Sequence, residues 1–212
     1  MTGRGAPRRF IVFEGGEGAG KSTQVKRLAE ALRGAGQAVT TTREPGGSPG
    51  AEAIRKLLVD GETARWEPLT EALLINAARA DHLDRVIRPA LARGDWVICD
   101  RFADSTMAYQ GYGMGLDRAW LEDLRRRVVG ADEPGLTLVF DLPVETGLSR
   151  AVASQRYERM GREFHERLRA AFTEIAQARD GRHRVVIDAA GTVEEVARDV
   201  MATVHVTYGL TL

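Results

Sequence analysis

The sequence predicts one α/β domain in which a five-stranded parallel sheet is flanked by helices. Short apolar runs rich in β-branched residues alternate with longer stretches at helical spacing, the order produced by repeated strand–helix–strand units. A glycine-rich loop joins the first apolar run to the first helical stretch. A chain of 212 residues suits one domain with a sizeable core, and it contains no internal repeat or low-complexity linker.

The predicted strands are too short and too apolar for exposed helices. They cover residues 10–14, 38–42, 96–100, 136–141 and 184–188. The predicted helices cover residues 22–33, 71–92, 116–129, 146–150, 162–178 and 193–204. Gly34 is expected to end the first helix, and Pro89 to kink the second. We expect the folded domain to span residues 10–207, preceded by a flexible tail over residues 1–9.

Composition excludes several classes of protein. Thirty basic residues balance thirty acidic ones, so no overall field would attract nucleic acid or an anionic membrane. No stretch approaches the roughly 20 apolar residues that span a bilayer, and the polar start is too short for a signal peptide. Cys99, the only cysteine, is predicted to be a buried strand thiol. These features favour a soluble, cytoplasmic protein.

The strongest chemical signal is a complete G-x-x-x-x-G-K-S phosphate-binding loop between the first strand and the first helix. It consists of Gly15, Gly16, Glu17, Gly18, Ala19, Gly20, Lys21 and Ser22, followed by Thr23. Glycines 15, 18 and 20 are expected to take positive φ, so that backbone N–H groups point at phosphate oxygens. Lys21 would reach the β- and γ-phosphates, and the Ser22 hydroxyl would contact Mg²⁺.

This loop alone leaves the phosphoryl acceptor open, because GTPases, motor ATPases and small-molecule kinases all contain it. The sequence lacks an Asn-Lys-x-Asp motif for guanine, and the chain is small and neutral for a nucleic-acid motor. A kinase acting on a small acceptor is therefore favoured.

Two further motifs follow predicted strands at the carboxyl edge of the sheet, where open α/β folds bind ligands. Asp100-Arg101-Phe102 follows the third strand, and Arg43-Glu44-Pro45-Gly46-Gly47 follows the second. Asp100 could hold Mg²⁺ through water, and either arginine could clamp an acceptor phosphate. For each arginine the alternative is a solvated surface ion pair.

Together, these motifs and Ser105-Thr106-x-Ala108-Tyr109-Gln110-Gly111 resemble the bacterial thymidylate kinases, from about Phe10 to the last helix. The resemblance implies transfer of phosphate from MgATP to dTMP, giving dTDP, on a five-stranded P-loop fold with a short mobile lid. It also implies a homodimer packed through helices.

The resemblance also assigns roles by position. Arg43 and Arg101 would grip the dTMP phosphate, Arg79 would donate to a thymine carbonyl, and Tyr109 would crowd the place of a ribose 2′-hydroxyl. The implied substrate-binding set further contains Glu44, Ile75, Phe102, Ser105, Thr106, Gln110, Tyr157 and Glu158. Glu17, Ser22 and Asp100 would lie at the metal, and the implied catalytic residues are Glu17, Lys21, Asp100, Arg101, Arg150 and Arg156.

Two departures from the family pattern stand out. The lid, at about residues 150–160, keeps Arg150 and Arg156 but has Val152 and Ser154 where further arginines are expected. Either the lid is natively short, or a glycine-rich stretch of it is missing from this sequence, and we expect the second. Ile75 replaces a phenylalanine that stacks on thymine, so the base would rest on an aliphatic platform or on Phe102.

These departures leave alternatives to thymidylate phosphorylation. The acceptor could be another or a modified pyrimidine deoxynucleotide. A lid depleted of arginine could also leave a catalytically weakened nucleotide-binding homologue.

Overall fold

In the computed structural model, which describes residues 7–62, 65–150 and 156–212, five parallel strands form one sheet in the order β2-β3-β1-β4-β5. The strands are β1 (Phe10–Gly15), β2 (Val39–Arg43), β3 (Trp96–Asp100), β4 (Leu136–Asp141) and β5 (Arg184–Asp188). The predicted fold class is confirmed, and the predicted strand bounds differ by no more than one residue.

Helices cover both faces of the sheet. The α-helices are α1 (Lys21–Gly34), α2 (Pro49–Val59), α3 (Pro68–His82), α4 (Arg88–Ala92), α5 (Ala103–Thr106), α6 (Arg118–Val128), α7 (Val144–Arg150), α8 (Arg162–Gln177) and α9 (Val193–Tyr208). Two π-helical segments, Leu83–Ile87 and Met107–Gly113, continue α3 and α5, and a 3₁₀ turn covers Tyr157–Arg159.

The helix predicted over residues 71–92 begins earlier, at Pro68, and its irregularity lies at the π-helical segment Leu83–Ile87. This segment ends two residues before Pro89, whose nitrogen carries no hydrogen to donate to the preceding turn. A widened turn therefore lies just before this proline, and a kink at Pro89 itself stays a prediction.

Sequence analysis missed two helical regions, α2 and the stretch from Ala103 to Gly113. The start of α2 does carry a signal, because Ser48 caps it by accepting a hydrogen bond from Ala51 N, and Pro49 occupies the first turn. The glycines and prolines around this start suggest a loop and hide that signal.

The central strand β1 is buried along its whole length, with helices on both of its faces. Ile11 and Phe13 face the side covered by α1 and α9, while Phe10 and Val12 face Leu83 and its neighbours. Cys99 is buried in this second cluster, as predicted. A central strand without exposed faces fixes the loops at its carboxyl end, where the site lies.

The basic residues just before β1 are held against the domain. Arg8 donates to Asp132 (Nη1–Oδ1, 2.7 Å), and Arg9 donates to Gly94 O while its guanidinium lies over the Trp96 ring. These two arginines, the last residues of the tail predicted over residues 1–9, therefore have partners on the domain. Residues 1–6 lie outside the described residues.

No described helix is both long and apolar enough to cross a membrane.

Candidate active site

The phosphate-binding loop takes the predicted conformation. Gly15, Gly18 and Gly20 have φ values of 133°, 67° and 81°, which confirms the expectation for these glycines. Lys21 begins α1, and its buried Nζ donates to Gly15 O (3.0 Å) and Gly16 O (2.6 Å). Burial, aided by the nearby positive charge of Arg101, lowers the pKa of Lys21 to about 8. The carbonyls of Gly15 and Gly16 thus hold Lys21 beside the backbone N–H groups of the phosphate-binding loop.

Ser22 and Asp100 bring two oxygen donors together beside this loop. Ser22 Oγ donates to Asp100 Oδ2 at 2.6 Å, which joins the start of α1 to the end of β3. Oxygen ligands of this kind suit Mg²⁺, which commonly takes one or two protein ligands together with phosphates and water. Within the described ranges no group of three His, Cys, Asp or Glu side chains could hold a metal ion by itself. The donor set therefore fits a cation shared with bound phosphates.

Arg101 occupies a special backbone position. It is the only described non-glycine residue with positive φ, at 68°. Its guanidinium donates to Gly15 O (3.0 Å) and to Glu17 Oε1 (2.8 Å), and it lies over the Tyr109 ring. These contacts hold the guanidinium between the phosphate-binding loop and the neighbouring pocket.

Glu17 connects the same groups from the loop side. Its Oε1 accepts hydrogen bonds from Arg101 and from the Tyr109 hydroxyl, the latter at 2.7 Å. Burial opposes ionisation, but the charges of Arg101 and Lys21 outweigh it and hold the pKa of Glu17 at about 2. The carboxylate is thus ionised at neutral pH.

Glu14 is a site residue that sequence analysis missed. It is fully buried at the end of β1, where its carboxyl group accepts from Phe102 N (2.9 Å), Ser105 N (3.0 Å) and Ser105 Oγ (2.5 Å). Burial, with a smaller effect of Asp104, raises its pKa to about 7. Its signal in the sequence was an acidic residue that closes an otherwise apolar strand. Glu14 fixes the turn that follows Arg101.

A buried polar network lies behind the motif that follows β2. Glu44 accepts from Arg79 Nε (2.7 Å) and contacts His82 Nδ1 (3.0 Å), while His82 Nε2 contacts Thr42 Oγ1 (2.6 Å). Arg79 Nη2 also donates to Thr106 Oγ1 at 3.0 Å. The network ties α3 to β2 and to α5, and it orients Arg79 at the pocket wall.

The predicted substrate residues converge on one pocket at the carboxyl edge of the sheet. Its lining contains Arg43, Glu44, Ile75, Arg79, Arg101, Phe102, Ser105, Thr106, Tyr109, Gln110 and Tyr157. The structure does not describe the side chain of Glu158, so its position stays a prediction. Glu17, Ser22 and Asp100 also line this pocket, and they line the cleft at the phosphate-binding loop as well.

Arg55, on α2, lines this pocket and is another residue that sequence analysis missed. It donates to Pro45 O (2.8 Å), and burial together with the positive charge of Arg43 lowers its pKa. Arg43 itself is half exposed and pairs with Glu52 (Nη2–Oε1, 2.9 Å). Arg43, Arg55 and Arg101 thus form a cluster of positive charge in the pocket, which is suited to an anion.

The two arginines predicted for the lid lie in different surroundings. Arg156 is 1% exposed and its Nη1 pairs with Glu71, which is fully buried and accepts from Gln110 Nε2 (2.7 Å). Arg156 is not in the pocket lining, but its guanidinium lies over the ring of Tyr157, which is. Arg150 is exposed at the end of α7.

Their catalytic roles stay predictions. The intervening residues 151–155, which include Val152 and Ser154 and form the middle of the predicted lid, lie outside the described residues.

A phosphate-binding loop that shares residues with an arginine-lined pocket, at the edge of a parallel sheet, defines a P-loop kinase of the nucleoside monophosphate kinase class. The family model "Thymidylate kinase" matches residues 13–200. The thymidylate kinase of Caulobacter vibrioides is 55% identical over 204 residues, covering 95% of this chain and 98% of that protein. The thymidylate kinase of Dinoroseobacter shibae is 53% identical over 200 residues, covering 92% and 96%.

A solved structure agrees with these relatives. The crystal structure of thymidylate kinase from Ehrlichia chaffeensis matches with a TM-score of 0.72 and 34% identity, covering 92% of this chain and 97% of that one. The chain belongs to the thymidylate kinase family, as the sequence motifs predicted, and it is an ATP-dependent nucleoside monophosphate kinase.

Proposed function

We propose that this chain phosphorylates dTMP to dTDP with MgATP as the donor, using the residues described above. The observation that carries the assignment to this site is that Glu17, Ser22, Asp100 and Arg101 line both the phosphate-binding loop and the arginine-lined pocket. A donor phosphate on the loop and an acceptor phosphate in the pocket would therefore meet at these residues. Such positioning is the main contribution of P-loop enzymes to phosphoryl transfer.

In the transfer, an oxygen of the acceptor phosphate forms a bond to the γ-phosphorus. The bond from that phosphorus to the β–γ bridging oxygen breaks, and ADP leaves. The ammonium group of Lys21 would stabilise the negative charge on the β- and γ-phosphates. Arg43, Arg55 and Arg101 would bind the acceptor phosphate, and Arg101 would also stabilise charge on the transferring group.

Ser22 and Asp100 would hold a Mg²⁺ ion bound with the nucleotide. When present, this ion would neutralise charge on the phosphate oxygens. The two side chains already lie 2.6 Å apart, so little reorganisation would be needed to point both oxygens at one cation.

Recognition of the base would depend on the inner end of the pocket. Arg79 has five N–H donors, and contacts with Glu44, Asn76, Phe102 O and Thr106 use four of them among the described residues. The remaining Nη1 hydrogen would be available to a thymine carbonyl. Ile75 provides an aliphatic wall for the ring.

Discrimination by a methyl contact is worth only about 1–3 kcal/mol. We therefore expect measurable activity on dUMP beside dTMP.

The experiment is coupled ADP release with MgATP and dTMP, dUMP, dCMP or dGMP in parallel, with the Lys21→Ala variant as control. We expect ADP formation that requires a deoxynucleoside monophosphate, is greatest with dTMP and is abolished in the variant. ATP binding without acceptor-dependent ADP formation would contradict the proposal and favour a nucleotide-binding homologue. Preference for another pyrimidine nucleotide would reassign the acceptor.

Exposed apolar residues on two helices support the further proposal of a homodimer. Leu57 on α2 and Leu69 and Leu73 on α3 are 40%, 48% and 48% exposed. Light scattering should give twice the monomer mass for the wild type, and Leu73→Asp should reduce it. A cytoplasmic location and the absence of a nucleic-acid partner stay predictions.

A further inference from the structure

Helix α7 touches the phosphate-binding loop through two glycines. A Cβ atom added to Gly147 would lie 2.5 Å from Glu17 O, and one added to Gly18 would meet the Gly147 backbone still more closely. Gly147 is buried within α7. The two backbones therefore approach at a distance that leaves room only for hydrogen atoms.

The helix itself does not require a glycine at this position. Unlike Gly18, which has a φ of 67°, Gly147 lies outside the left-handed region. Its N–H donates to Pro143 O at 3.0 Å, an ordinary helical bond. Alanine would favour this helix over glycine by about 1 kcal/mol. The neighbouring loop, and not the conformation of α7, is what demands a glycine.

The loop residue on the other side of this contact is Glu17, whose side chain anchors Arg101 (2.8 Å) and the Tyr109 hydroxyl (2.7 Å). Lys21 is held separately, by the carbonyls of Gly15 and Gly16. A displacement of the Glu17 backbone would therefore move the carboxylate that holds Arg101 and Tyr109 more than it would move Lys21.

We infer that Gly147 is a positioning residue for the acceptor phosphate, which acts through Glu17 on Arg101 and Tyr109. The inference rests on the proposed function of this pocket. An ordinary contact distance needs a further separation of about 1 Å, and a backbone carbonyl cannot rotate away as a long side chain can. Misplacement by about 1 Å can reduce turnover about 100-fold.

The test is Gly147→Ala with Ser149→Ala as the matched control. Ser149 lies on the same helix and is exposed, and its hydroxyl donates a hydrogen bond to Thr146 O of that helix (2.9 Å). For both variants we would measure steady-state kinetics with each substrate varied, the binding of ATP and of dTMP by calorimetry, and thermal unfolding.

For Gly147→Ala we expect kcat/KM for dTMP to fall about 10- to 100-fold and dTMP binding to weaken, while the Kd for ATP changes less than about threefold. Ser149→Ala should match the wild type.

The route through Glu17 is tested by a double-mutant cycle with Glu17→Ala. If Gly147 acts through that side chain, Gly147→Ala should reduce kcat/KM for dTMP far less in the Glu17→Ala background than in the wild type. Equal losses in both backgrounds would overturn the inference. So would an active Gly147→Ala enzyme with unchanged dTMP kinetics, or a variant that loses ATP binding or its fold.

Failure of the proposed function would look different. In that case the wild type itself would not bind dTMP or form ADP in response to it.

Discussion

The donor half and the acceptor half of this active site are built in different ways. On the donor side, one continuous stretch around Lys21 supplies backbone N–H groups, a lysine and a hydroxyl. On the acceptor side, the pocket lining comes from β2, α2, α3, β3 and the helical segment after it, together with Glu17 of the phosphate-binding loop, Ser22 and Tyr157. Apart from Asp100 and Arg101, which the two halves share, the donor half is therefore a local motif, whereas the acceptor half exists only when distant elements pack correctly.

The largest effect should come from the donor half. Lys21→Ala removes the positive charge that stabilises the transferring phosphoryl group, so kcat should fall on the order of 10³-fold. Rapid-quench or coupled assays at saturating substrates would measure it. The control is Lys26→Ala, which changes an exposed lysine on the same helix and should leave kcat unchanged. A loss of less than tenfold for Lys21→Ala would mean that the loop does not carry the chemistry.

In the acceptor half, the buried network should matter most. Glu44→Gln keeps the shape of the side chain but removes the carboxylate that pairs with buried Arg79 and contacts His82. Leaving a buried guanidinium without its charged partner should lower the free energy of unfolding by about 3 kcal/mol. Urea unfolding would measure this loss.

The matched control is Glu52→Gln, because the Arg43–Glu52 pair is largely exposed and should contribute less than about 1 kcal/mol. If the two substitutions lowered the free energy of unfolding equally, the buried network around Glu44 would be no more important for stability than the exposed Arg43–Glu52 pair, contrary to the prediction.

A smaller effect should separate the two halves kinetically. Arg55→Ala removes one cation of the acceptor cluster, so KM for dTMP should rise about 30-fold while KM for ATP stays within about threefold. Lys56→Ala, the exposed neighbour on α2, should change neither constant. A parallel rise in both Michaelis constants for Arg55→Ala would place this arginine outside the acceptor half.

The contrast between the halves also explains what the sequence could predict. The five strands and the phosphate-binding loop depend on local patterns, namely apolar runs and glycines at fixed spacing, and the structure agrees with them. Arg43 and Arg101 were identified through motifs and Arg79 through the family resemblance, and all three line the pocket. What the motifs could not give was the partner of each side chain.

The missed residues have a common physical cause. Arg55 lies on a helix whose start is hidden among glycines and prolines, and Glu14 acts through contacts with residues about 90 positions away in the chain. Arg156, whose catalytic role stays a prediction, pairs with Glu71 on α3, a residue far away in the chain. Partners so distant in sequence are determined by packing, which residue spacing does not encode.

The smallest predicted effect concerns Glu14 and Glu17, two glutamates three positions apart with opposite pKa shifts. The pKa of Glu17, about 2, lies below its ordinary value, so its contribution to stability is present above about pH 4.5 and is lost only as pH falls towards 2. The contribution of Glu17 to stability is therefore constant near neutral pH.

The pKa of Glu14, about 7, lies above its ordinary value because burial penalises the charged form. Its contribution is therefore complete below about pH 4.5 and is lost as pH rises through 7.

Glu14→Gln replaces this carboxyl group with a neutral one of the same shape that still accepts from Phe102 N and Ser105 N. Relative to the wild type, the variant should gain about 1 kcal/mol in unfolding free energy between about pH 6 and about pH 7.5, because only the wild type must ionise a buried group in that range. Urea unfolding of both proteins at the two pH values measures the difference, and contributions that the two proteins share cancel. A difference that does not change with pH would show that Glu14 is already ionised at pH 6, and that the hydrogen bonds from the turn after Arg101 outweigh the cost of its burial.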